Sequence, residues 1–293
     1  MNTRALLGDF SALEIQVLRF ALGWLALGVA GRFEGFGRFR EWREELLLAS
    51  LGFFGVAVYQ LLENCAIHFT NASNVSILVC MCPLLTGVVS RLFFRHRPGE
   101  ALGPMFFVGF VLAIAGVTMV SMDGIREFNF NPSGDLLAAL AMLCWAVYSN
   151  LVAVAGGKGR PRTFVIRRSF FWALVFMIPL VAFGITPSGA SALDGSLAVV
   201  TDATVNTRRF SAPLNYLNLG FLGLLASALC FVLWSRALAA LGTVRCTVML
   251  YLQPGVTVVF AYLFLGEVLT IQSAAGGALI LVGVIVSGKG TRR

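Results

Sequence analysis

In a chain of 293 residues with 58% hydrophobic and 12% charged residues, few groups could do chemistry, and their spacing says which kind. Two histidines, His68 and His96, fall at opposite ends of apolar spans. Nearly all of the fourteen acidic residues lie in connections or at span ends. The chain has no H-x-x-x-H pair, acidic cluster, phosphate-cradling glycine loop or G-x-S-x-G elbow. No convergent nucleophile, acid or metal set follows from such a pattern, so neither an enzyme nor a bound cofactor or metal is expected. The six cysteines, Cys65, Cys80, Cys82, Cys144, Cys230 and Cys246, form no C-x-x-C and are expected as buried free thiols.

Polar groups inside the apolar spans carry more information, because an unsatisfied one in hydrocarbon costs several kcal/mol. In the span 46–65, Tyr59, Gln60, Glu63 and Asn64 follow Gly52, Gly55 and Val56 at helical spacing, which puts them on one stripe expected to face the bundle interior. Glu63 is a candidate cation-contacting or protonatable group; the alternative is a carboxylate solvated at the outer interface. In the span 134–154, Trp145, Tyr148 and Ser149 share a face, with Asn150 beside them. Aromatic rings with polar tips suit a small-molecule cavity, and also suit an interfacial belt. Tyr251 and Gln253 stand beside Pro254, and Cys82 beside Pro83, near the middle of their spans. A mid-helix proline frees a carbonyl one turn earlier, here at Val79 and Leu250. Pro83 and Pro254 therefore read as paired hinges, with static kinks as the alternative. Pro179 has no partner and reads as a local kink, and Arg19 is left between snorkelling and internal pairing.

The elements that must position these groups are membrane helices. A soluble domain carries roughly 25% charged residues, and a spanning helix needs about 20 mostly apolar ones. Nine segments qualify: 12–31, 46–65, 73–94, 101–121, 134–154, 168–187, 213–235, 242–265 and 270–288. Connections that would share one side of the membrane hold seventeen Lys and Arg, against Arg4, Arg126, Arg208 and Arg209 on the other. The richer side should be cytoplasmic, which places the C-terminus inside. The net charge of +8 is spread over these connections, so no nucleic-acid partner is expected. The stretch from about Thr186 to Ala212 is expected as an external, mobile connection. The Asn-x-Ser patterns at Asn71 and Asn74 sit at a helix start and do not indicate glycosylation.

The two proline spans are copies of one another. Ala66, Pro83, Leu92 and Phe93 map onto Ala237, Pro254, Leu263 and Phe264 at a constant offset of 171 residues, the mark of an internal repeat. Gly52-Phe53-Phe54-Gly55 resembles Gly220-Phe221-Leu222-Gly223, and Gly109 with Gly116 parallels Gly276 with Gly283. These glycines are expected at close helix crossings. Positive charge swaps sides between the copies: Arg95 and Arg97 follow the first proline helix, whereas Arg236 and Arg245 precede the second. The second copy therefore enters the membrane inverted. The expected repeats are 1–121, with four helices, and 134–288, with five. A counterpart of helix 134–154 is missing from the first repeat, so the chain is expected to begin one helix late relative to a ten-helix plan.

Several motifs resemble those of the drug/metabolite transporter superfamily in its EamA-like branch, over about residues 12–288. They are Leu18-Arg19-Phe20, the stretch Ala66 to Thr70, the pairs Gly116-Val117 and Gly283-Val284, Gly134-Asp135-Leu136, and Leu265-Gly266-Glu267. This sequence is expected to depart in lacking the family's opening helix, and it places Phe94-Arg95-His96 where the first copy of Leu-Gly-Glu would stand. The resemblance implies an all-α, inverted-repeat helical bundle that moves small metabolites, often outward. The function expected is alternating-access transport, in the export direction, of a small amino-acid-like, neutral or amphipathic metabolite, by a multi-pass protein of the cytoplasmic (inner) membrane. Substrate contact falls to Tyr59, Gln60, Glu63, Asn64, Trp145, Tyr148, Ser149, Tyr251 and Gln253, near the midplane between the halves. The alternative is a non-transporting truncated protein or a partner subunit. Expected partners are the substrate and the lipid bilayer, with a homodimer left open.

Overall fold

Apolar runs of this length can satisfy their backbone in hydrocarbon only as helices or closed barrels, and the computed structural model is helical nearly throughout. It describes residues 6, 10–31, 41–69, 72–93, 101–121, 131–157, 159–182, 213–265 and 270–292. In chain order the helices are α1 (Ala12–Gly31), α2 (Trp42–Gly52), α3 (Tyr59–Phe69), α4 (Ala72–Val79), α5 (Cys82–Phe93), α6 (Pro104–Ser121), α7 (Pro132–Gly156), α8 (Arg162–Ala182), α9 (Pro213–Gly220), α10 (Cys230–Leu241), α11 (Thr243–Val248), α12 (Leu252–Leu265) and α13 (Ile271–Gly290). A π-helical stretch, Phe53–Val58, joins α2 to α3, and another, Phe221–Leu229, joins α9 to α10. Among the described residues the strands are β1 (Ala101–Leu102) and β2 (Thr291–Arg292), paired antiparallel. The stretch 186–212, His96 and Glu267 lie outside the described residues.

Local chemistry sets the helix starts. Ser11 and Glu14 form a capping box: the Ser11 amide donates to Glu14 Oε2 at 2.8 Å, and the Glu14 amide to Ser11 Oγ at 3.2 Å. Asn131 accepts at Oδ1 from the amides of Ser133 and Gly134 and so caps α7, with Pro132 at the first helical position. Thr270 does the same for α13 through the Ser273 amide, at 3.0 Å. Gly242, at φ +87°, separates α10 from α11 in a conformation that costs a residue with a Cβ.

Among the described residues, seven continuous helical stretches are long and apolar enough to cross a bilayer: Ala12–Gly31, Trp42–Ala66, Pro104–Ser121, Pro132–Gly156, Arg162–Val181, Pro213–Leu241 and Ile271–Gly290. The other two of the nine expected spans are the proline spans, and both are discontinuous. In the first, the amides of Cys80 and Met81 bond three residues back, to Ile77 and Leu78, so the helix tightens into a turn just before Pro83. In the second, Met249–Tyr251 is a 3₁₀ turn just before Pro254. Several helices also run past the expected bounds. The second span starts at Trp42, where Glu44 and Glu45 pair with Arg160 and Arg168, and the sixth at Arg162, whose Nη1 donates to Ser235 Oγ while the Arg167 guanidinium lies over the Trp24 ring.

The helices gather into two compact units that cut across the sequence repeats: residues 1–64 with 151–237, and residues 65–150 with 238–293. The first unit packs α1 and α2 against α8, and α1 against the second π stretch. At its centre Phe20, Phe170 and Phe231 meet edge to face, with ring centroids 5.0, 5.8 and 5.1 Å apart. Gly223 lets α1 approach closely, since a Cβ there would stand 2.6 Å from the Leu22 Cβ.

The second unit is built on α6 against α13, its most extensive helix pair. A Cβ on Gly116 would lie 2.6 Å from the Gly276 carbonyl oxygen, and one on Gly283 2.6 Å from the Ala113 amide nitrogen. The expected role of Gly109, Gly116, Gly276 and Gly283 in close packing holds, with Gly109 set against the backbone of Ser287. β1 and β2 tie together the start of α6 and the end of α13, and the Gly103 amide donates to the Gly290 carbonyl at 3.0 Å. The two broken helices meet in this unit as well, with α11 packed on α5.

Candidate functional site

In the first unit the start of α3 carries four polar side chains, Tyr59, Gln60, Glu63 and Asn64. The expected single stripe resolves into two adjoining ones. Gln60 and Asn64 share one: with Leu13, Gln16, Ala57, Leu61, Met177 and Leu180 they line a cavity of about 10 Å³, the room one water needs. Gln16 Nε2 donates to Gln60 Oε1 at 2.7 Å, and both side chains are buried. Gln16 Oε1 is buried without a hydrogen-bond partner among the described residues.

Tyr59 and Glu63, four residues apart, form the second stripe. The Tyr59 hydroxyl donates to Glu63 Oε1 at 3.0 Å. Arg19 of α1 lies close enough to the Glu63 carboxylate to interact with it through charge, and its Nε donates to Ser227 Oγ at 2.9 Å. Its guanidinium also lies over the Phe20 ring, 4.9 Å from the centroid. Arg19 therefore pairs internally, which settles the alternative left open by the sequence.

The π stretch that supplies Ser227 explains an irregularity in the repeat. Gly52 and Gly220 are 168 residues apart, whereas Ala66 and Ala237 are 171 apart. The second π stretch has nine residues and the first six. The three-residue difference lies inside the wide turns, and π turns are frequent at functional sites.

In the second unit Trp145 and Tyr148 of α7 are in ring contact, 5.2 Å between centroids at 43°. Tyr148 and Ser149 are fully buried, which separates Tyr148 from an interfacial belt. Asn150 Nδ2 donates to the carbonyls of Thr86 and Ala146, at 3.2 and 2.9 Å, and so ties α7 to α5 three residues after Pro83. Tyr251 is buried in an apolar cluster with Cys80, Phe106, Val244 and Val248. Gln253 is exposed, half-buried Pro254 follows it, and Pro83 is buried. Cys80, Cys82 and Cys246 are buried free thiols as expected, but Cys65 and Cys144 are half-buried and Cys230 exposed, because those positions face away from the helix contacts.

A charged cluster closes one end of the first unit. Arg160 holds Glu44 through two hydrogen bonds, of 2.8 and 2.9 Å, and those bonds push the Arg160 guanidinium further above its ordinary pKa. Arg168 pairs with the buried Glu45 at 2.6 Å, and the Trp172 indole donates to the same carboxylate. Sequence reasoning treated these arginines only as topology signals. Gln16 and Ser227 it did not single out, and Arg19 it left undecided. An intramembrane Arg on the same helix as a buried Gln was the available sign.

The likeness to known proteins extends over the whole chain. A solved crystal structure matches with a TM-score of 0.73 at 20% identity, covering 98% of this chain and 93% of that one. A probable terminal-alkyne amino-acid exporter of Streptantibioticus cattleyicolor is 26% identical over 286 residues, 97% of this chain and 86% of the relative. A probable amino-acid metabolite efflux pump of Escherichia coli strain K12 is 25% identical over 228 residues, covering 78% and 71% of the two chains. An uncharacterized transporter of Archaeoglobus fulgidus is 28% identical over 249 residues, covering 84% and 76%. The sequence profile of the EamA-like transporter family matches residues 2–122 and 132–288, and the chain, a multi-pass helical membrane protein, belongs to that family.

Proposed function

We propose that this transporter exports a small amino-acid-like metabolite across the cytoplasmic membrane by alternating access, with its C-terminus on the cytoplasmic side. The observation that carries the reading is the pair of helix breaks at repeat-matched prolines, Pro83 and Pro254. A break costs backbone hydrogen bonds, and two at equivalent positions mark elements that move or line a path. The polar row of Tyr59, Gln60, Glu63 and Asn64 supports substrate contact in the first unit. The excess of Lys and Arg on one set of connections supports the orientation. The amino-acid exporter and amino-acid metabolite efflux pump named among the Streptantibioticus and Escherichia relatives support the substrate class and the direction.

The test is counterflow. The full chain is reconstituted in liposomes loaded with one unlabelled L-amino acid at a time, and uptake of the labelled compound is followed. Accumulation above protein-free liposomes is expected for at least one amino acid, with P83A and P254A each slowing it while binding persists. No accumulation of any of the twenty overturns the reading.

A further inference from the structure

We infer that Arg19, anchored by Ser227, receives the carboxylate of a transported zwitterion while Glu63 receives its ammonium. This rests on the export reading above and names the chemistry by which the first unit would recognise its substrate. Arg19 lies seven residues into α1, about 10 Å along the helix axis from its start. A cation at that depth in an apolar span needs partners. A guanidinium has five N–H donors. Only Nε has a hydrogen-bond acceptor among the described residues, the hydroxyl of the fully buried Ser227. The ring of Phe20 supports the guanidinium from one side, and among the described residues both terminal nitrogens keep their donors. They form the fork that binds a carboxylate through two parallel hydrogen bonds.

Glu63 mirrors this arrangement. Oε1 accepts from Tyr59, and among the described residues Oε2 has no hydrogen-bond partner. Arg19 and Glu63 interact through charge, yet their N and O atoms do not approach to ion-pair distance. A cation and a carboxylate near enough to interact through charge, yet beyond ion-pair distance, are complementary to a molecule carrying both opposite charges a few bonds apart. An α-amino acid has that geometry.

A second observation comes from the same face of α1. Gln16, one turn before Arg19, is more than nine-tenths buried, and its Oε1 has no partner among the described residues. It borders the cavity lined by Gln60 and Asn64. An arginine retained only to hold α1 against the second π stretch would use its fork on protein carbonyls, and would leave no buried acceptor beside it.

The experiment uses the full chain in liposomes and the amino acid that exchanges fastest among the twenty, set against its primary amide, which keeps the ammonium and lacks the carboxylate. In the unmodified protein the amide should show a KM about 10- to 100-fold higher, the range of a charge-assisted hydrogen bond. Arg19→Gln should erase that ratio. Arg19→Lys, which keeps the charge but not the fork, should reduce it, and so should Ser227→Ala, which leaves the guanidinium in place if the glutamine variant does not fold. Glu63→Gln should raise the KM of the amino acid and of the amide together, since both carry the ammonium. Equal KM values for acid and amide, or a ratio that survives in Arg19→Lys and Ser227→Ala, overturn the assignment and leave the export reading standing. Failure of every amino acid to exchange overturns the export reading, and the assignment with it.

Discussion

The two units use the same repeat in opposite ways. In the second, equivalent positions stay equivalent: Gly109 and Gly116 meet Gly276 and Gly283 across one seam, and the two proline helices break at matched points. In the first, equivalence is lost where polar groups appear. Glu63 corresponds to Trp234, and the π stretches differ by three residues, with Ser227 in the longer one. A symmetric seam of small residues packs backbone against backbone, so neither copy can drift without a clash. Small substrates are not symmetric, and a unit that recognises one needs different side chains on its two repeats. On the reading proposed above, scaffold and helix breaks fall to one unit, and chemical selectivity to the other.

The seam is where the comparison breaks most completely. Gly109→Leu would drive a side chain into the α13 backbone beside Ser287, which cannot yield as a flexible side chain would. No monodisperse protein is expected from detergent extraction, read by fluorescence-detected size exclusion. The control sits across the seam on α13. A Cβ on Gly277 meets nothing within 4 Å, so Gly277→Ala should leave the profile unchanged or raise Tm, since Ala is the better helix former by about 1 kcal/mol. Next in size is the aromatic centre of the first unit. Phe20→Ala removes a fully buried ring that contacts Phe170 and Phe231, at a cost of about 3–5 kcal/mol, seen as a lowered Tm.

Legibility from sequence follows the same division. The glycine seam could be read because close crossings need small residues at helical spacing, and the repeat printed the pattern twice. The proline breaks could be read because Pro83 and Pro254 each remove a donor at a fixed place. The interleaving of the units could not, since it depends on which helices pack and not on where the repeats begin. Nor could the Gln16–Gln60 bond, which joins residues 44 apart. The change of offset from 168 to 171 was present in the sequence, but only geometry shows that a helix absorbs it as wide turns. Gln253, expected beside Tyr251 at a binding surface, is exposed while Tyr251 is buried, because the 3₁₀ turn ends between them and rotates the following residues.

Smaller effects sharpen the selectivity side. Gln60→Leu leaves the buried Gln16 amide without its acceptor, for a loss of about 1–3 kcal/mol. Replacing both partners, Gln16→Leu with Gln60→Leu, removes the orphaned groups together and should recover most of that loss. The pairwise coupling read from the four Tm values is the check. Recovery of Tm with loss of counterflow would mean that the amides serve the substrate and not the fold. If the double variant is no more stable than the single one, the amides hold α1 to α3 by shape as well as by their bond.

The charged end of the first unit should respond least. Arg160 and Glu44 keep 19% and 15% of their side-chain surface exposed, so Glu44→Gln should lower Tm only slightly, an effect that salt weakens. Glu45 is only 7% exposed and accepts from both Arg168 and Trp172. Glu45→Gln should therefore lower Tm more than Glu44→Gln, and the gap should persist in high salt because burial and not charge alone sets it. Equal shifts for the two variants would mean that this end of the unit is open to water. The asymmetry between the units would then stop at the polar row on α3.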